Sequence, residues 1–303
     1  MATETSAPEV TPHADEPIVR LRHPWRWVAV AVISLYLAEA VWFFATSDAL
    51  PWDLVRGYLF EESIMRGVWM TLKLTVVAML VGVVLGTLLA VMRLSENPVL
   101  RGLAGGYVWL FRGTPILVQL LFWFFLGTVM PEVTFGIPFG PDFTIGETSD
   151  LITPFMAAIL GLGLNEAAYM AEIVRAGIGA VDKGQTEAAH ALGMSPATTY
   201  RRIVLPQAAR VVVPPTGNQV ISMLKLTSLV LVIGLADLLT TAQLIYGRNF
   251  EQIALLIVAS FWYLVLTTIL TIGQSRLERR LGRSDLTRRR PRPQIQATAG
   301  EAR

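Results

Sequence analysis

Six long apolar runs constrain this chain more than any other feature of its sequence. Each carries at most two charged residues, and they cover residues 27–45, 74–92, 107–130, 153–171, 211–239 and 253–272. A helix needs about 20 such residues to cross roughly 30 Å of hydrocarbon. In lipid, only helices and closed barrels satisfy their own backbone hydrogen bonds, and these runs do not alternate as barrel strands do. The sequence therefore predicts an all-α integral membrane protein with six transmembrane helices.

The composition agrees with this prediction and narrows the chemistry open to the chain. Hydrophobic residues make up 53% and charged residues 16% of the sequence, against about 45–50% and about 25% in soluble domains. The absence of cysteine excludes disulfides, thiolate metal sites and a cysteine nucleophile. No H-E-x-x-H or G-x-S-x-G motif occurs. We therefore expect neither an enzyme nor a metal site.

Basic residues predict the orientation of the spans. They are concentrated before the first run, between the second and third, between the fourth and fifth, and after the sixth. Cytoplasmic loops of membrane proteins carry such an excess of Lys and Arg, so both termini are predicted to be cytoplasmic. The basic segment after the last run is expected to attract anionic lipid rather than nucleic acid.

A cytoplasmic segment, 172–206, is longer than a simple helix connection. Residues 187–192 favour a helix, and Gly193 is predicted to end it with a positive φ. The Ser195-Pro196 dipeptide predicts the start of a second helix, with Pro206 as its end. Small residues on one face of the first helix indicate a surface on which another protein docks. The alternative is a loop that packs only on its own helices.

Several motifs carry a resemblance to a known family. Glu187-Ala188-Ala189, followed by Gly193 and Ile203-x-Leu205-Pro206, resembles the EAA loop of ATP-binding-cassette (ABC) importer permeases in spacing at every position. Other segments resemble the polar amino-acid branch of that family: Tyr107-x4-Arg112-Gly113-Thr114-Pro115 with Gln119, Ala168-Tyr169-x-Ala171-Glu172-Ile173-x-Arg175, Gly184-Gln185, and Lys225-x-Thr227-Ser228-Leu229.

This resemblance implies a transport subunit with a type I permease fold, in the bacterial plasma (inner) membrane. Such a subunit pairs with a second permease subunit, as a homo- or heterodimer, and docks on two copies of an ABC ATPase subunit. An extracytoplasmic binding protein delivers a polar amino acid, whose identity stays open. The chain has no G-x-x-x-x-G-K-[ST] loop. We therefore expect no cofactor in this chain, with ATP and Mg bound by the ATPase.

The resemblance also divides the chain into domains. It implies a five-helix core with one extra N-terminal helix. The predicted segments are a disordered tail (1–24), the extra transmembrane helix (25–46), an external linker or elbow (47–66), the permease domain (67–281) with its EAA loop (182–206), and a basic disordered tail (282–303).

The resemblance assigns residue roles in the EAA loop. Coupling to the ATPase is expected from Glu187, Ala188, Ala189, Gly193, Ile203, Leu205 and Pro206. A side chain larger than Ala at position 188 or 189 should clash in the groove of the ATPase.

Polar residues within the spans are candidates for the substrate pathway, because ionisable groups in lipid are costly and usually face the bundle interior. Glu166 and Lys225 would supply the two charges that a zwitterionic amino acid needs, and Asp237 is a further ionisable candidate. The candidate pathway comprises Glu166, Asn218, Gln219, Ser222, Lys225, Thr227 and Ser228. The alternative is that these groups make contacts between helices.

Three charged residues of the motifs are interpreted as structural. Glu172 and Arg175 are expected to form ion pairs around the EAA loop, and Arg112 is expected to pair with Glu172 or with a lipid phosphate.

A secondary, ion-coupled transporter is the alternative function. Such proteins typically show internal repeats with interrupted helices in corresponding positions, and the sequence shows no convincing repeat. A long structured cytoplasmic loop has no role in that mechanism.

Overall fold

A computed structural model describes residues 24–47, 50–136 and 142–286. The described residues form the following helices and strands: α1 (Pro24–Thr46), α2 (Trp52–Tyr58), α3 (Glu62–Leu94), α4 (Pro98–Gly113), α5 (Ile116–Phe124), α6 (Leu126–Val129), β1 (Glu132–Gly136), β2 (Asp142–Glu147), α7 (Thr148–Leu151), α8 (Pro154–Gly179), α9 (Lys183–Ala191), α10 (Pro196–Thr199), α11 (Leu205–Leu226), α12 (Leu238–Asn249) and α13 (Gln252–Leu286). A π-helical turn, Tyr200–Val204, precedes α11, and a 3₁₀ helix, Thr227–Ile233, follows it.

The chain divides into two units, Met1–Pro51 and Trp52–Arg303. The described part of the first unit consists mainly of α1, which matches the predicted extra helix. Apolar residues are distributed around the whole circumference of this helix, Arg26 and Glu39 are its charged residues, and it is long enough to cross a membrane. The tail predicted for residues 1–24 lies almost entirely outside the described residues, and α13 continues to Leu286, inside the segment predicted as a C-terminal tail.

Four helical segments of the second unit are long and apolar enough to span a membrane: α3, α8, Pro196–Ile233 and the apolar part of α13. The third predicted span is different, because α4 and α5 meet at an angle of 101°. Pro115 has no N–H to donate and keeps the preceding residue out of the helical region. Thr114 is accordingly extended, with φ −114° and ψ 143°. With α1, the described residues contain five candidate spans, or six if this bent pair is one.

The packing of α3 against α8 forms the centre of the second unit. Gly82 and Gly86 form a G-x-x-x-G stripe on α3 that faces α8, and both are buried. Gly163 on α8 makes a similar close contact with α3, since a Cβ there would lie 2.9 Å from a side-chain carbon of Val81. Small residues let helix backbones approach closely in lipid, where van der Waals packing replaces the hydrophobic effect between helices.

The fifth predicted span needs two corrections. Pro206 does not end a helix: it lies in the first turn of α11, directly after a π-helical turn. The chain reaches α11 continuously through the π-helical turn. At the other end, the span stops at Ile233, and Asp237 is the N-cap of α12 rather than a residue within the span. The helix α12 was not predicted from the sequence.

The all-α prediction holds for the spans, with one small exception among the connections. The strands β1 and β2 pair in an antiparallel hairpin within the loop between α6 and α7. A bulge interrupts their register between Val133 and Thr134.

Asp237 ties α12 to α13 and should be important for stability. Its Oδ1 accepts hydrogen bonds from the Thr240 backbone N–H (2.9 Å) and hydroxyl (2.6 Å), and its Oδ2 accepts one from the Tyr263 hydroxyl (3.1 Å).

We expect Asp237→Ala to remove a cap and leave buried donors unpaired, at a cost of about 1–3 kcal/mol. Thermal unfolding of the purified protein in detergent checks this. Asp150→Ala is the control, since Asp150 is exposed; equal melting temperatures for the two variants would contradict the assignment.

Candidate functional site

The EAA loop is a helix-turn-helix whose turns are set by local hydrogen bonds. The carboxylate of Asp182 caps α9 by accepting from the Gly184 N–H at 2.7 Å. Gly193, with φ +76°, ends the helix in the left-handed region, as predicted. Ser195 caps α10, its hydroxyl lying 2.8 Å from that of Thr198. Short polar side chains therefore cap both helices of this loop at their N-termini.

The exposed face of α9 carries an apolar surface. Ala188, Ala191 and Leu192 are all exposed, and Leu192 retains 82% of its accessible surface. Ala189, predicted to contact the ATPase with Ala188, is only 2% exposed and faces the interior of the loop. A larger side chain at 189 would therefore disturb the loop itself.

Most of the other predicted coupling residues are exposed, and one is half-buried. Glu187 and Gly193 are exposed beside the apolar face of α9, and Leu205 and Pro206 are exposed at the start of α11. Ile203 is half-buried in the π-helical turn.

A cavity of about 430 Å³ lies where the bent pair α4–α5 meets α8 and α11. We call it the bend cavity. It is lined by Arg112, Gly113, Thr114, Pro115, Ile116, Asn165, Glu166, Tyr169, Gln219, Ser222 and Leu226. Its volume is within the range of about 300–1,000 Å³ found for small-molecule sites.

The bend cavity contains both an acidic and a basic side chain. Glu166, close to the middle of α8, is only 3% exposed, and both its carboxylate oxygens accept from the Gln219 amide, at 3.2 and 3.3 Å. The guanidinium carbon of Arg112 lies 5.2 Å from the centre of the Tyr169 ring, which is a cation–π contact. A zwitterionic molecule would therefore meet groups of both signs here.

Two amide side chains satisfy the backbone at the bend. Gln119 donates to the carbonyls of Phe111 (2.9 Å) and Thr114 (3.2 Å), and to the Thr114 hydroxyl (2.7 Å). Asn165 donates to the Phe111 carbonyl at 2.9 Å and to the Gln119 side chain at 3.2 Å. Broken helices are tolerated at membrane depth when other groups bind the freed backbone atoms.

Lys225 lies in a separate cavity of about 240 Å³, between the end of α11, the 3₁₀ helix, α12 and α13. Its polar lining consists of Lys225, Ser228, Ser260 and Tyr263. Glu166 and Lys225 therefore line different cavities, and their pairing around one substrate stays a prediction. Arg112, which was interpreted as structural, is the basic side chain that lines the bend cavity together with Glu166.

The remaining pathway candidates are divided among three environments. Gln219 and Ser222 line the bend cavity. Thr227 is buried and donates to the Leu224 carbonyl at 2.8 Å, so it stabilises the end of α11. Asn218 faces α13, where it accepts from the Gln274 amide at 2.9 Å. Thr227 and Asn218 therefore make helix contacts, which was the alternative to a role in the substrate pathway.

Glu172 is the centre of an ion network. Its Oε2 accepts from Arg175, at 2.8 and 3.2 Å, and its Oε1 accepts from Arg93 at the end of α3. The predicted Arg112–Glu172 pair is not formed, because Arg93 occupies that position. Sequence reasoning missed Arg93, which has no place in the motifs. Among the described residues, no cluster of three or more His, Asp or Glu could hold a metal ion.

Comparison with known proteins identifies the family. Residues 82–283 match the family "Binding-protein-dependent transport system inner membrane component". The arginine transport system permease protein ArgU of Corynebacterium glutamicum is 49% identical over 86% of this chain and 81% of its own length. The L-cystine transport system permease protein TcyB of Bacillus subtilis is 38% identical over 78% and 93%.

The fold agrees with this relationship. A crystal structure of an amino acid ABC transporter with histidines matches with a TM-score of 0.62 and 37% identity, covering 72% of this chain and 94% of that one. These relatives are transport permeases, and the family does not favour the secondary-transporter alternative. The chain therefore belongs to the inner-membrane components of binding-protein-dependent transport systems, as a multi-pass permease subunit of an amino-acid ABC importer.

Proposed function

We propose that this permease imports a polar amino acid that a binding protein delivers from outside and that hydrolysis of ATP by a separate ATPase drives inward. The observation that carries the proposal is the bend cavity, which presents Arg112 and Glu166 to the same space. Two such permease subunits, identical or different, would form the pathway, and two ATPase subunits would bind ATP and Mg.

Coupling to the ATPase would occur through the exposed face of α9. Its surface of two alanines and Leu192 allows a partner to approach closely, and Leu192 offers an apolar side chain that contact would remove from water. The excess of basic residues around the EAA loop favours a cytoplasmic location for this loop. The ATPase would be on the same side of the membrane. Movement of α9 would reach the spans through the continuous helix from α10 to α11.

The charges of the bend cavity suggest the class of substrate. Arg112 would bind the α-carboxylate that all amino acids share, and Glu166 would bind a cationic group. Arginine is the first candidate, because the relative with 49% identity is named as an arginine permease. A guanidinium and a carboxylate form paired, charge-assisted hydrogen bonds, which favours arginine over a neutral analogue of the same shape.

The Lys225 cavity would be a second position for the substrate carboxylate. Lys225 lies at the end of α11, about 9 Å along the helix axis from the level of Gln219, and Ser228 follows in the 3₁₀ helix. A helix contact is the alternative role for Lys225.

Substitution at Ala188 tests the coupling surface. We expect Ala188→Arg to abolish the stimulation of ATPase activity by substrate-loaded binding protein, because a long charged side chain prevents close contact with the ATPase. The measurement is ATP hydrolysis by the transporter reconstituted in proteoliposomes. Ala188→Ser, which adds one oxygen atom, is the matched control and should retain stimulation. If Ala188→Arg retains full stimulation, the surface is not the coupling contact.

Substitutions at the two charges test the substrate site. We expect Glu166→Gln to raise the KM for arginine about 10- to 100-fold, the effect of losing a hydrogen bond between charged groups, and to change the KM for citrulline far less. Citrulline replaces the guanidinium by a neutral ureido group. Arg112→Gln should raise both KM values alike, because both molecules carry the α-carboxylate. Uptake of labelled amino acid into proteoliposomes gives these values.

The control for both variants is Glu62→Gln, since Glu62 is an exposed carboxylate paired with Arg66 on α3. It should leave both KM values unchanged. An equal effect of Glu166→Gln on arginine and citrulline would show that Glu166 does not bind a cationic group of the substrate.

A further inference from the structure

Gly82 on α3 lies directly against the side chain of Glu166. A Cβ at position 82 would be 2.5 Å from the Cγ and 2.9 Å from the Cβ of Glu166. Both distances are far below van der Waals contact between carbon atoms, which is near 3.5–4.0 Å. Any side chain at this position would therefore displace Glu166 or separate the two helices.

The backbone at Gly82 does not itself require glycine. Among the described residues, positive φ occurs at Gly146, Gly193, Gly234 and Phe250, and Gly82 has ordinary helical geometry. Alanine is a better helix former than glycine. Position 82 therefore requires glycine because a side chain has no room there. The side chain of Glu166 fills the space that a Cβ would occupy.

Glu166 is held from two sides. Its aliphatic part packs against Gly82 of α3, and its carboxylate accepts from Gln219 of α11. The side chain can withdraw towards α3 only because position 82 has no Cβ. In this position Glu166 is one of the residues that line the bend cavity.

We propose that Gly82 is a positioning residue that sets the depth of the Glu166 carboxylate in the bend cavity and thereby the preference for a cationic substrate. This inference rests on the proposed function, in which Glu166 binds the cationic group. A methyl group at position 82 pushes the side chain away from α3 and moves the carboxylate towards the cavity. The carboxylate then occupies the space that the guanidinium needs.

Gly86 provides a matched comparison one turn further along the same stripe. A Cβ there would be 2.5 Å from the Cβ of Met170 and 2.8 Å from the Ala167 carbonyl oxygen. Gly86→Ala therefore strains the same α3–α8 interface without touching a carboxylate, and strains it more because the new methyl group also meets backbone atoms of α8. Any effect of helix packing alone should appear in both variants.

The experiment measures uptake of arginine and citrulline by the whole transporter in proteoliposomes. For Gly82→Ala we expect the KM for arginine to rise about tenfold and the KM for citrulline by no more than about twofold. For Gly86→Ala we expect the ratio of the two KM values to stay at that of the wild type. If Gly82→Ala and Gly86→Ala give the same ratio, the inference is overturned.

A double-mutant cycle separates this inference from the proposed function. Glu166→Ala removes the atoms that the methyl group would meet, so Gly82→Ala should change the KM ratio no further in that background. If Glu166→Ala alone leaves the ratio unchanged, the proposed substrate site is wrong. If it changes the ratio but Gly82→Ala does not, only the role of Gly82 fails. A further change in the double variant would also overturn that role.

Assembly of the variants gives a second measurement. If Gly82→Ala alone fails to assemble, size-exclusion chromatography of the double variant, Gly82→Ala with Glu166→Ala, shows whether contact with Glu166 is the cause. Recovery of the assembled transporter in the double variant, with the KM ratio of Glu166→Ala, supports the close contact of Gly82 with Glu166. Failure of the double variant as well would show that another group requires glycine at position 82, which contradicts the inference.

Discussion

The amide side chains of Gln119 and Asn165 stabilise the break between α4 and α5, and the rest of the candidate site depends on this break. Backbone carbonyls without partners at membrane depth cost several kcal/mol each. The two amides donate to the carbonyls of Phe111 and Thr114, so the chain can turn by 101° within an apolar region. The turn exposes a cavity and brings Arg112 to its wall.

Close packing of α3 and α8 places the opposite charge in the same cavity. The glycine stripe on α3 lets the backbone of α8 approach, and Glu166 occupies the space that Gly82 leaves. Nearer the EAA loop, the ion pair between Arg93 of α3 and Glu172 of α8 joins the same two helices, and Arg175 of α8 also binds Glu172. The interface is thus held by van der Waals contact in the span and by charge at its end, next to the loop that would transmit the movement of the ATPase.

The sequence predicted local structure well where one residue type decides the conformation. Gly193 and Ser195 are examples, and the apolar runs identified the spans because lipid imposes a length and a polarity on them. The break at Pro115 was missed because the run is apolar on both sides of it. Pro206 was misread as a helix end because a π-helical turn cannot be read from composition. Helix packing places Arg112 and Glu166 at one cavity and Lys225 at another, and spacing along one chain does not reveal this packing.

The central claim is that the bend cavity binds the transported amino acid between Arg112 and Glu166. A cryo-electron microscopy structure of the assembled transporter with saturating arginine tests it most directly. We expect density for the amino acid in this cavity, with its carboxylate within hydrogen-bond distance of Arg112 and its guanidinium directed at Glu166. An empty bend cavity at saturating arginine, with the ligand bound elsewhere in the membrane domain, would contradict the claim.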